Sequence, residues 1–192
     1  MAFNEGQHCW CERFTSANLG LDVNAQSWAS HTLTPPRTHR LDYIALCLYK
    51  IGTPTYTLTA SVYLADGNHQ PTGPALCTAT LAASSLTTVS TWYSFRFGTG
   101  YQVSPGVEYA VVVFGNGGDS VNRSVIRTNV TGGYSAGLCG VSTSGGAAWQ
   151  MYPGEDIVFQ EGQYPWYEMF LQANAAVNAS GQEQVCQTFT PS

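Results

Sequence analysis

Between Leu41 and Gln172 the chain repeats one arrangement, short runs of alternating apolar and polar residues cut at short intervals by Gly, Pro, Asn or Asp. A period of two sends successive side chains to opposite faces of extended backbone, so such runs fold as strands with one buried face. In the run Tyr56 to Leu64 the even positions are mostly apolar and the odd ones mostly hydroxylic. Ile44, Leu46 and Leu48 share a face in the same way, as do Tyr93, Phe95 and Phe97. Tyr109 to Phe114 is apolar on both faces, which marks a central strand, and Asp156 to Phe159 and Tyr167 to Gln172 add two more. The breaks have a mechanism: Asp66-Gly67-Asn68, Pro71-Thr72-Gly73-Pro74, Ser104-Pro105-Gly106 and Gly115 to Asp119 supply fixed or positive φ. No helical period of useful length interrupts them. The pattern predicts an all-β, antiparallel β-sandwich of about eight strands.

The two ends lack this rhythm. Residues 1–30 and 176–192 are polar and weakly patterned, and they read as arms flanking a sandwich over 31–175. Trp10, Phe14, Trp28 and Phe189 lie in or near these arms. Leaving such rings in water is costly, so the arms are expected to reach over neighbouring subunits. Six cysteines allow fifteen full pairings. Cys47 and Cys77 sit in strand-like runs and are expected as small buried hydrophobes. Cys9, Cys11, Cys139 and Cys186 lie in terminal or Gly-rich segments and are the disulfide candidates.

Charge narrows the partners. Charged residues are 10% of the chain, against roughly 25% in an ordinary soluble domain. Seven basic residues face twelve acidic ones, for a net charge of -5, so there is no basic stripe to neutralise phosphates and no nucleic-acid partner is expected. A surface this poor in charge suits contact with carbohydrate or with other subunits, the second being the stronger expectation. The start, Met1 to His8, has no basic segment leading into an apolar one, and no run of apolar residues is long enough for a membrane span. The expectation is therefore release other than by a secretory leader, as virion proteins are released at lysis.

Several phrases recur in a recognisable order. Leu41 to Gly52 is an apolar strand closed by Gly. Leu58 to Gly67 is a strand ending in Asp66-Gly67 and followed by Pro71-Thr72-Gly73-Pro74. Trp92-Tyr93-Ser94-Phe95-Arg96-Phe97 precedes Val103 to Val113, with Gly106, Tyr109, Val111 and Val113 in fixed order. Tyr134 to Gly137, Gly145 to Trp149 and Asp156 to Phe159 complete the series. From Leu41 to Phe159 this succession resembles the jelly-roll domains, some galactose-binding-like, of bacteriophage virion proteins and bacterial surface proteins. The resemblance implies a jelly-roll β-sandwich; the arms fall outside it, and function within the group is diverse.

Motifs for chemistry are weak. Gly133-Tyr134-Ser135-Ala136-Gly137 has the glycine spacing of a nucleophile elbow, but no helical pattern follows and all four histidines precede Ser135. His8-Cys9-Trp10-Cys11 lacks the spacing of a zinc motif and a second paired half. His69 falls in a turn, and His31 and His39 flank Pro35-Pro36, so all three are expected to be exposed. Glu155 and Asp156 are adjacent and project to opposite faces, which excludes a facing carboxylate pair. Asp66, Asp119 and Asp156 stand in Gly-rich turns and are the weak calcium candidates, without a D-x-D-x-D run. Trp149, Tyr152, Tyr164 and Trp166 flank loops near the end and are the faces on which a sugar would stack, although core or interface packing explains such rings as well. No catalytic residue, cofactor or further metal ligand is assigned.

These observations set an expectation of a non-enzymatic virion structural or accessory protein, a capsid decoration or tail-associated subunit, forming homo-oligomers at a particle surface. The alternatives are an extracellular carbohydrate-binding module and a self-assembling surface fibre subunit.

Overall fold

The computed structural model describes residues 9–163, with side chains from Cys11 onward. In chain order the strands are β1 (Cys9–Phe14), β2 (Leu19–Val23), β3 (Trp28–Leu33), β4 (His39–Ile51), β5 (Thr57–Ala65), β6 (Pro71–Ala82) and β7 (Thr91–Val103). There follow β8 (Tyr109–Gly115), β9 (Arg123–Asn129), β10 (Cys139–Ser142), β11 (Gln150–Tyr152), β12 (Asp156–Ile157) and β13 (Phe159–Gln163). One short 3-10 turn, Ala83–Ser85, lies between β6 and β7, and no α-helix is present among the described residues. The strands form two antiparallel sheets, and the molecule is the all-β sandwich that the alternation requires.

The first sheet is built on β4. One edge of this 13-residue strand pairs with β7; the other pairs first with β13, through Tyr43 to Leu46, and then with β9, through Leu48 to Ile51. β1 adds to β13, and β2 and β12 add to β9. The second sheet runs β11-β10-β3-β8-β5-β6. The core lies between the inner faces and follows the alternation. Ile44, Leu46 and Leu48 of β4 and Phe95 and Phe97 of β7 meet Leu58, Ala60 and Val62 of β5 and Val111 and Val113 of β8. On β8, Ala110 and Val112 are buried as well, as a central strand demands. Leu64, near the end of β5, keeps its register with Tyr109 of β8 but is exposed; beside it the extra residues of the β5–β6 irregularity lie on β6, between Thr72 and Cys77.

The N-terminal segment departs from the expected arm. Residues 9–33 supply three strands, and β3 sits in the second sheet between β10 and β8. Phe14 packs against the core, and Trp28 stacks on Phe114 with ring centroids 4.2 Å apart and planes 17° apart. These two rings are thus packed, partly buried, within the chain itself. The β3 sequence Trp28-Ala29-Ser30-His31-Thr32-Leu33 shows no apolar alternation, because it places a histidine at an inward position and buries Ser30 and Thr32 on the other face. The side chain of Trp10, and Phe189 with the rest of 164–192, lie outside the described residues.

If Trp28 is structural, Trp28→Ala lowers the stability of the monomer by about 1–3 kcal/mol through lost area and stacking. Urea unfolding followed by far-ultraviolet circular dichroism measures this, and an unchanged midpoint returns Trp28 to the status of an arm residue.

Candidate functional site

Two places concentrate functional chemistry, one on the surface and one inside. The surface site is made by the connection from β10 to β11. Ser142 Oγ accepts from the Gly146 N–H at 2.9 Å, Ser144 Oγ accepts from the Ala148 N–H at 3.0 Å, and the Gly145 N–H donates to the Gln26 carbonyl. Gly146 is required here: its φ is +86° and an added Cβ would strike the Trp28 ring. This tight loop leaves a depression of about 380 Å³ lined by Thr143, Ser144, Ala148, Trp149, Gln150 and Tyr152. Two of the four proposed sugar-stacking rings, Trp149 and Tyr152, therefore share one concavity with hydroxyl and amide groups. The other two, Tyr164 and Trp166, lie outside the described residues.

The interior site was not expected. His31 and His39, read as exposed, are buried at 3% and 7% exposure, and each meets a buried carboxylate. His31 Nε2 lies 3.3 Å from Asp156 Oδ1, and Asp156 Oδ2 accepts from the Tyr134 N–H at 3.0 Å. His39 Nε2 lies 2.9 Å from Glu161 Oε2, while His39 Nδ1 reaches the Arg37 carbonyl at 3.1 Å. The Tyr134 hydroxyl donates to Glu12 at 2.6 Å, and its ring packs on His31 and Phe159. Burial lowers the pKa of His31, against the opposing pull of Asp156, so its neutral imidazole is favoured. For His39 burial also opposes the charge, but bonding and attraction to Glu161 outweigh it and the shift is upward. Burial raises Glu12, with the nearby Glu161 charge adding to it. Tyr134 is likewise raised by burial and by donating to Glu12.

These partners stand 122 to 125 positions apart, so no local motif carries them. The only trace in the sequence is a polar residue at an inward position of an apolar strand: His31 between Ala29 and Leu33, and Glu161 two residues after Phe159.

The remaining candidates resolve individually. Asp66 Oδ1 accepts from the N–H groups of Asn68 and Gln70, and Asp119 Oδ1 from those of Val121 and Asn122. These turn bonds hold both carboxyls below their ordinary pKa. Asp156, where the sequence suggests an open Gly-rich turn, is instead buried against His31. Among the described residues these three aspartates are not gathered into one ligand group. Cys139, a disulfide candidate, is instead a free buried thiol whose pKa burial pushes up to about 12. Cys11 also carries a thiol, close to His39 and Glu161, while the Cys9 side chain and Cys186 lie outside the described residues. Cys47 and Cys77 are free and half-buried, less enclosed than expected.

Ser135 lines a second depression, about 290 Å³, with His69 and Glu108, whose side chains meet at 2.9 Å. Its hydroxyl makes no hydrogen bond to His69. The glycines of its motif serve packing: a Cβ on Gly137 would strike the Thr32 carbonyl, and Gly133 has φ +143° beside the Phe14 ring.

No family model matches the chain, and no curated protein matches it. Among solved structures it is similar to one of infectious bursal disease virus, Gx strain. The identity is 14% and the TM-score 0.30, over 83% of this chain and 42% of that one. It is also similar to the VP2 subviral particle of infectious bursal disease virus, at 15% identity and a TM-score of 0.23, over 79% of this chain and 33% of that one. This chain spans less than half the length of either. At that similarity the fold assignment rests on this chain's own strand pairing.

His31 makes stability depend on pH in a defined direction. The unfolded chain takes up its proton near the ordinary histidine value of about 6.5, whereas the folded chain resists protonation to lower pH. Its contribution is therefore complete above that value and is lost as pH falls below it. Urea midpoints between about pH 7 and pH 5 should decline less steeply in His31→Gln than in the parent. A second expectation concerns Cys139: in the native protein at about pH 8 it should stay unmodified by a thiol-specific reagent and react on unfolding. Peptide mass mapping reads this, and rapid native labelling of Cys139 contradicts its burial.

Proposed function

We propose that this chain is a non-enzymatic structural protein of a particle, a virion surface or tail-associated subunit, that assembles with other subunits through its sandwich. The observation that carries the reading is strand β6. Among the described residues it ends the second sheet and pairs only with β5, and it runs for 12 residues without a charge. Monomeric proteins usually blunt such an edge with lysines, prolines or a covering element. Here Pro71 and Pro74 guard the first third, and the stretch Ala75 to Ala82 carries neither lysine nor proline. Thr78, Thr80 and Ala82 are exposed along it. Leu64 on β5 and Trp92 at the start of β7 are exposed hydrophobics on elements that pack beside β6, and Val89, in the bend that leads into β7, is exposed as well. The scarcity of charge over the whole chain fits a surface that meets protein. Among the described residues no helix is long and apolar enough to cross a membrane.

Light scattering coupled to gel filtration tests the reading, and the expected result is a homo-oligomer. Thr80→Lys with Ala82→Lys, both at exposed positions, should shift it to monomer while the circular dichroism stays unchanged. A parent chain that is monomeric at all concentrations, and absent by mass spectrometry from purified particles, removes the proposal.

A second reading, carbohydrate binding, is favoured by the shared concavity of Trp149 and Tyr152. Glycan-array signal that disappears in Trp149→Ala supports it. Silence across the array at high protein concentration rejects it.

A further inference from the structure

We infer that Cys11, His39 and Glu161 form a site for a divalent transition metal of the zinc type, which ties strand β1 to the sandwich. One ligand atom from each residue lies within 4.8 Å of the others. Zinc bond lengths of 2.0–2.3 Å set tetrahedral ligand separations of about 3.3–3.6 Å, so an entering ion would open the 2.9 Å His39–Glu161 contact slightly and draw in any ligand atom standing farther off.

The strands explain why these three residues meet. Trp10 pairs with Gly162 and Glu12 with Glu161, so Cys11 is the extra residue of a β-bulge. Bulges re-aim side chains, and this one gives Cys11 a direction that regular alternation would deny it. Glu161 lies two residues beyond Phe159 on the inward face of β13, and His39 opens β4 beside Val103 at the same end of the sandwich.

Three features point to a cation. Glu161 is fully buried, and its Oε1 has no hydrogen-bond partner among the described residues although Oε2 meets His39. A bare carboxylate oxygen in that position is expensive, and a metal ion supplies what it lacks. His39 is oriented as metal-binding histidines are: Nδ1 bonds the Arg37 carbonyl, which fixes the ring and directs Nε2 at the cluster. Glu12 stands opposite Glu161 in register, adding a second carboxylate to the same end of the sheet. Thiolate, imidazole and carboxylate together select zinc or cobalt(II) over calcium or magnesium, which prefer oxygen alone. Cys11 is half-buried, which gives an ion a way in and leaves a fourth position for water or an outside ligand.

The test uses the full chain, purified under reducing conditions, stripped with a chelator and titrated with Co²⁺ and then Zn²⁺ alone. One equivalent of Co²⁺ should give visible bands of tetrahedral intensity and a thiolate-to-cobalt charge-transfer band in the near ultraviolet, and Zn²⁺ should abolish both. Cys11→Ser should lose the charge-transfer band. Glu161→Gln should weaken binding by at least about tenfold, while Cys77→Ser leaves it unchanged. Zn²⁺ should also raise the Tm of the parent but not of Cys11→Ser, a readout that does not require the variants to bind metal. A parent with normal circular dichroism that shows no charge-transfer band overturns the assignment. So does a band that survives in Cys11→Ser.

Discussion

The structure depends on the length of β4. A strand of 13 residues has room for two successive partners on one edge, and β13 and β9 share that edge while β7 occupies the other. Every other member of the first sheet attaches through one of these three. β4 also bears the inward row Ile44, Leu46 and Leu48, so hydrogen bonding and apolar burial are supplied by the same residues. A one-residue slip in its pairing would turn that row to solvent, which is why the register is so strongly specified. The irregularity between Leu41 and Tyr43 shows the constraint from the other side. There the inward face passes from Leu41 to Ile44, and Asp42 is buried beside the Arg40 guanidinium.

Where alternation is strong the sequence is transparent. The faces of β4, β5 and β7 and the two-sided burial of β8 follow from the positions of their apolar residues. What is not legible has a common cause, a polar residue whose partner is distant. His31 and His39 beside two prolines suggest exposed loops, and only the folded chain brings Asp156 and Glu161 to them. The N-terminal strands are illegible for the same reason, because β1, β2 and β3 are completed by strands from beyond residue 108. Of the surface rings, Trp149 and Tyr152 could be named from the sequence, but their common depression depends on the fold of the Ser142 to Ala148 loop.

The interior of this sandwich is therefore not uniformly apolar. Two histidines, two carboxylates and a tyrosine occupy inward positions near β1, β3 and β13, where leucine or phenylalanine would pack at lower electrostatic cost. The arrangement fixes partners in a way that apolar contacts do not. Asp156 joins β3 to the segment before β10, and Glu12 joins β1 to the same segment through Tyr134. Polar pairing thus specifies how the N-terminal strands attach, while apolar burial holds the middle of the chain.

One feature of the first sheet bears on how the domain would carry a load. β1 and β13 are antiparallel neighbours with Cys9 opposite Gln163, so the chain enters and leaves the described sandwich at one corner. A pull applied through both ends would open this pair like a zipper, breaking its hydrogen bonds one after another rather than shearing them together. Tension applied between Cys9 and Gln163 therefore meets the bonds of this pair singly. A force led in at Cys9 and out through a sheet face would instead load many bonds at once.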